Sequence, residues 1–238
     1  MRRISYFAIS GLLLLLSAMQ AAFAGDVIDG VVATVNHRPI FQSDWDEAIR
    51  FEAFMRQKPL SQVSQADKVG ALQRLIDRQL IETQMGDPRS VRPSEEELRE
   101  DLAKVQAQMG GSKDDPRWQE VLASYELSDQ LVIDHLRTEL QVMNFVDVRL
   151  RPNVRVQADE IEAYYQNQVL PDLKKAGAKV VSLDEAEPKI RELLTQQHMD
   201  QLLEVWLHNL RQQAQIHSVV PMPAADAAAE EDRASGSE

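Results

Sequence analysis

The chain of 238 residues contains no cysteine. Disulfides, thiol catalysis and thiolate metal sites are therefore excluded, and a fold of this length must be held by packing alone. The short motifs of nucleotide and acyl chemistry are missing too, since no P-loop, G-x-G-x-x-G or G-x-S-x-G occurs. There is no basic patch of any size. Lys and Arg number 26 against 38 Asp and Glu, a formal charge of −12, which makes nucleic acid an unexpected partner. An acidic excess of this kind favours solubility and self-repulsion.

What is present begins with an export signal. Arg2 and Arg3 form a basic start, Ile4 to Leu16 an apolar stretch, and Ala22-Phe23-Ala24 an A-x-A site before Gly25. This predicts a secretory signal peptide over residues 1–24, cleaved between Ala24 and Gly25. Ser5, Ser10 and Gly11 interrupt the apolar stretch, whereas a spanning helix needs about 20 apolar residues. No cysteine follows it, so a lipoprotein anchor is excluded. The expected mature chain has no stable membrane anchor and lies in the periplasm. Loss of Arg2 and Arg3 leaves it 24 basic against 38 acidic residues.

The most informative stretch is Val27 to Phe54. Val31-Val32-Ala33-Thr34-Val35 is β-branched and strand-like, and Asn36-His37-Arg38-Pro39 reads as a turn. Ile40 and Phe41 resume the apolar pattern. Ser43 is the expected N-cap of a helix, with Asp44, Asp46 and Glu47 in its first turn and Trp45, Ile49 and Phe51 to Phe54 on its apolar face.

Further helices follow by spacing and by cap chemistry. Val69, Leu72, Leu75, Ile76 and Leu80 predict a helix from about Gln65 to Met85. Ser94-Glu95-Glu96-Glu97 is a capping box that opens a helix carrying Leu98, Leu102, Val105 and Met109, ended by Gly110-Gly111. Asp115-Pro116 starts a short helix with Trp118, Val121, Leu122 and Tyr125 inward. Ser128 caps one with Leu131, Val132, His135, Leu136, Leu140, Met143 and Val146, and Ala158 to Lys175 reads as another. A capping box at Ser182 to Glu185 opens the longest, over 183–214, with Pro188 near its first turns. The strand-like Ile216 to Val220 is expected to pair with Val31 to Val35, because a lone strand leaves its backbone unsatisfied. Residues 221–238 lack periodicity and are expected to be disordered.

The run Val31-x-Ala33-x-Val35-Asn36, a polar turn and the Ser43-Asp44 helix start resemble the opening of the SurA family of periplasmic chaperones. The second to fifth expected helices, with the run Arg74 to Leu80, look like the rest of that family's N-terminal domain, and Leu183 to Val220 is similar to its closing helix and strand. Ala158 to Tyr165 resembles its link into a parvulin-type prolyl isomerase domain. The resemblance implies a mainly α fold, a multi-helix domain over 25–220 with a small two-stranded sheet joining the N- and C-terminal strands. It also implies partners that are unfolded polypeptides, outer-membrane proteins among them, bound without cofactor. The departure from the family lies at Gln166 to Val181, which is too short to hold an isomerase domain of at least ~50 residues.

No catalytic or metal constellation is expected. His37, His135, His198, His208 and His217 are scattered, and His198 and His208 do not have the i, i+4 spacing of a helical zinc pair. His135, on an apolar helical face, reads as a satisfied core histidine. Glu95, Glu96 and Glu97 read as helix-start charge. Met85, Met109, Trp118 and Met143 are the candidate client-contact residues, since methionine adapts to irregular partners. Met199 and Trp206 are comparable, with ordinary core packing the competing reading for each. Three functions fit: a holdase chaperone, a dedicated subunit for one folded envelope partner, and a prolyl isomerase by family membership. The short gap argues against the last.

Overall fold

A computed structural model of the chain describes residues 29–109, 111 and 115–221. The expected signal peptide with its Ala24–Gly25 junction, Gly110, and the tail beyond Pro221 lie outside these residues.

Strand β1 (Val31–Val35) and strand β2 (Arg38–Phe41) form a hairpin around Asn36 and His37, whose φ angles are +48° and +67°. Two successive left-handed residues make the hairpin turn that matches strand twist, and Asn and His tolerate that backbone better than most. Strand β3 (Ile216–Ser218) pairs with the other edge of β1, with Val35 opposite Ile216 and Ala33 opposite Ser218. The sheet is antiparallel in the order β2-β1-β3. Joining of the N- and C-terminal strands is therefore as expected, but the sheet has three strands rather than two. Arg38 and Pro39 belong to β2 and not to the turn. Proline is tolerated there because β2 is an edge strand.

Helix α1 (Gln42–Met55) follows β2 without a linker, so Phe41 and not Ser43 stands at its N-cap. The phenyl side chain offers no acceptor. Instead the Asp44 carboxylate accepts from the Phe41 backbone N–H at 3.0 Å. Five of the other helix starts are fixed by a side-chain cap. Ser64 opens α2 (Gln65–Gln84) and Ser94 opens α3 (Glu95–Gln108), each within a capping box. Asp115 opens α4 (Pro116–Ser124), and Ser128 opens α5 (Asp129–Leu150). Helix α6 begins at Ala158–Tyr164, passes through a π-helical turn at Tyr165–Val169 and resumes over Leu170–Lys175. Pro171 accounts for the wide turn, because its ring would clash with the carbonyl of an ordinary turn before it. Ser182 opens α7 (Leu183–Gln213), which continues through Pro188.

From Val31 onward these elements form one compact unit. Helix α7, 31 residues and ~46 Å long, links three parts of its core. Near its start, Ile190 and Leu194 pack with Ile161 and Tyr165 of α6. Its middle puts Met199 against Ile81 of α2 and Val146 and Leu150 of α5. Its end sets Leu210 against Val32, Val35, Leu72 and Leu75 under the sheet. A fourth group, Phe51, Phe54, Leu98, Trp118, Leu122, Val132 and Leu136, joins α1 to α3, α4 and α5.

One polar clamp fixes the far end of α7. The Arg211 guanidinium donates to both Asp77 carboxylate oxygens of α2, at 2.7 and 2.6 Å. Burial raises the Asp77 pKa above the ordinary carboxylate range, and the charge and hydrogen bonds of Arg211 pull it back. Arg211→Ala should therefore cost about 2 kcal/mol in urea unfolding, the scale for losing hydrogen bonds to a charged, partly buried group. Arg191→Ala, which breaks the exposed pair with Glu187, should cost under about 0.5 kcal/mol. Equal losses would show that the Asp77–Arg211 pair has no special structural weight.

Candidate functional site

The four methionine and tryptophan candidates do not share one surface. Trp118 is fully buried at 0 % exposure in the group that joins α1, α3, α4 and α5, and its indole N–H donates to Asp129 Oδ1 at 2.7 Å. It is a core residue with nothing to present to a client. Met109 is half-buried against the same group, and Met85 against Val142 and Phe145. Met143 is the exception, 63 % exposed on α5. Of the other two aligned with them, Met199 is buried and Trp206 packs beneath the sheet. A second exposed apolar group stands at one end of the sheet. Val31 and Phe41 are register partners there, and the Val219 N–H donates to the Val32 carbonyl alongside them.

Met143 has a charged neighbour on its own helix. Glu139 precedes it by one turn on α5, so the two share a face. Glu139 is exposed, yet Glu52 of α1, Arg78 of α2 and Asp101 of α3 all act on it. Withdrawal from water by the surrounding protein pushes its carboxyl up to about 7; Arg78 opposes the rise, and Glu52 and Asp101 add to it. Charges of both signs from three other helices thus act on one solvent-exposed carboxyl. Its carboxylate forms no hydrogen bond among the described residues. Cations on the same helices have partners of their own. Arg74 binds Glu52 through two nitrogens, Arg78 lies 3.8 Å from Glu82, and Lys104 lies 3.2 Å from Asp101.

His135 lies one turn back from Glu139 on α5. Its Nε2 lies 2.8 Å from Glu47 Oε1, and its ring stacks on Phe51 at 4.3 Å and 10°. Glu47 thus bridges helices, a task beyond helix-start charge. The core reading of His135 is right in outline, with a partner that spacing did not reveal. Burial depresses the His135 pKa; Glu47 works against that by charge and hydrogen bond, Arg78 reinforces it and Asp134 opposes it.

A small concavity lies between α1 and α2. The concavity lined by Ile49, Glu52, Ala53, Arg56, Lys58, Val63 and Asp67 has room for about one water. Among the described residues no group of three His, Asp or Glu side chains is arranged for a metal, and no helix is long and apolar enough to cross a membrane. Glu139 carried no signal in the sequence, since its surroundings come from three other helices.

The depressed His135 pKa sets a sign for pH dependence. The unfolded chain takes up the proton near pH 6.5 before the folded one does, so this residue's contribution to stability is lost as pH falls through that value. Wild-type protein should lose stability relative to His135→Gln between pH 7.5 and 5.5 in urea titrations. Parallel pH profiles for the two proteins would rule this out.

A family model described as the SurA-like N-terminal domain matches residues 3–146. Within the described residues the match takes in the hairpin, α1 to α4 and most of α5. A comparison with curated proteins returned no match. The matched span exceeds half of the 238 residues. The chain belongs to the SurA-like N-terminal domain family.

Proposed function

We propose that this protein is a periplasmic holdase, which binds unfolded exported or outer-membrane proteins without ATP, metal or catalysis. The family supports a chaperone-like role in general. The observation that favours client holding at this surface is Met143, a large apolar side chain left 63 % exposed on α5. A flexible thioether held open to water beside a carboxylate suits weak, broad contact with many chains. Gln166 to Val181 supports the non-catalytic part of the reading, since these residues complete α6 and then form a short loop into α7.

Light scattering during dilution of a denatured outer-membrane protein tests the proposal. Residues Gly25 to Glu238 should suppress scattering near stoichiometric ratios and leave the cis–trans exchange of a proline peptide at its uncatalysed rate. Met143→Glu should weaken suppression by about three- to tenfold, the scale for one apolar anchor. Unchanged scattering with wild-type protein would transfer the reading to a dedicated partner, and accelerated exchange would make the protein an enzyme.

A further inference from the structure

We infer that the free edge of β3 binds an extended, proline-free segment of an unfolded chain as a fourth strand of the sheet, through backbone hydrogen bonds at Ile216 and Ser218. The inference rests on the holdase reading and gives it a means of recognition that reads main chain instead of side chains.

The register fixes which way each backbone group points. In an antiparallel ladder, residues that exchange hydrogen bonds alternate with residues that do not. The Asn36 N–H donates to the Gln215 carbonyl at 2.9 Å and the Val219 N–H to the Val32 carbonyl at 3.0 Å, one at each end of the β1–β3 ladder. With Thr34 opposite His217, the bonded pairs are therefore Asn36 with Gln215, Thr34 with His217 and Val32 with Val219. Ile216 and Ser218 fall between them, so their N–H and C=O groups point away from β1. The sheet ends there, in the order β2-β1-β3, and none of these groups has a hydrogen-bond partner among the described residues. The next outward N–H, that of Val220, is taken by Ser218 Oγ at 3.1 Å, which marks where the open row stops.

The opposite edge is closed. Pro39 faces Thr34, whose own backbone groups are committed to β3, so the Pro39 backbone is turned outward on β2. Proline has no N–H to offer, and the Phe41 N–H is held by Asp44 at 3.0 Å. Unpaired edge groups are a template for another strand unless something blunts them. A proline and a carboxylate blunt β2, and neither device stands within Ile216 to Ser218.

The open row selects its occupant. Alternating donors and acceptors along a strand fit an extended backbone, whereas a helix has already used its own groups. Such contact excludes proline and otherwise ignores sequence, as a broad client range requires. Side chains of the added strand would alternate between the face of Ile216, which packs on the core, and the face of the exposed His217. Val219, 75 % exposed at the end of the edge, adds an apolar contact. A second copy of this chain is a poor occupant, because its formal charge of −12 repels its like.

The test uses residues Gly25 to Glu238 and two short fluorescein-labelled peptides of alternating valine and threonine. Both carry N-methyl groups along one edge, which keeps them from pairing with themselves. The second carries one more at the centre of its other edge. Anisotropy titrations should give the first peptide about five- to tenfold tighter binding, the scale of one backbone hydrogen bond lost with its partner left bare. Amide exchange at Ile216 and Ser218 should slow when the first peptide binds. Ser218→Pro, which removes an outward N–H at an edge position, should weaken binding by a similar factor. Ser218→Ala, which loses only the Oγ contacts with Val220, should leave it intact. Equal affinity for the two peptides, or binding that leaves exchange at Ile216 and Ser218 unchanged, would overturn the inference whether or not Ser218→Pro folds. So would a dimer of the free protein that Ser218→Pro dissolves, since the edge would then belong to a second copy. If wild-type protein suppressed aggregation but bound neither peptide, only this inference would fall. Failure to suppress aggregation would remove the holdase reading and, with it, the unfolded chain as occupant.

Discussion

Everything else in the structure depends on the two edges of β1. One edge is satisfied by the residues that come next, through a two-residue turn and β2. The other waits for β3, at the opposite end of the described chain. Asn36 ties the two events together. Its backbone N–H donates to the Gln215 carbonyl, and its side-chain oxygen accepts from the Gln215 N–H, both at 2.9 Å. The turn that closes the hairpin is thus also the dock for the returning segment. Since β3 follows α7 with only two residues between them, docking that strand fixes where the helix ends, and the Asp77–Arg211 clamp fixes its rotation.

With no cysteine to cross-link distant segments, the helices are held by apolar faces and a few buried or half-buried polar contacts. Trp45 shows the pattern. Its ring fills the core below the sheet, and its N–H donates to the Lys68 carbonyl at 2.7 Å, joining α1 to α2. Helix α5 spends its inner residues in the same way, with Val132 and Leu136 on α1 and α4 and Val146 and Leu150 on α2 and α7. The face left over holds Glu139 and Met143. The exposed face of α5 is what remains when the helix has been packed on both sides.

Helix starts were legible in the sequence because a cap is a local event, a side chain meeting an N–H two or three residues on. Ser94, Asp115, Ser128 and Ser182 each mark the residue before their helix. Ser43 failed for a local reason of another kind, since β2 runs straight into α1 and leaves the cap to Phe41. Pairing of the terminal strands could be argued from one unsatisfied backbone segment seeking another. Strand β2 was hidden by Pro39, which punctuates a chain everywhere except at an edge. The site was harder to see. Met143 and Trp118 look alike as members of helical stripes, and only the packing of α3, α4 and α5 decides that one is open and the other sealed. Contacts such as His135 to Glu47, 88 residues apart, have no local trace.

The late arrival of β3 sets a clock on the molecule's own assembly. Asn36 and Gln215 are separated by 179 residues, so the N-terminal strand must find its second partner across a long loop, whereas the hairpin closes a two-residue one. Hairpins form in microseconds, which leaves β1 and β2 ready long before the sheet can be finished. Throughout that interval one edge of β1 shows bare N–H and C=O groups, and the apolar face beneath it lacks Leu210 and Ile216. Such an unpaired edge invites the wrong strand. A newborn copy of this protein passes through the same exposed condition as the chains it is proposed to hold.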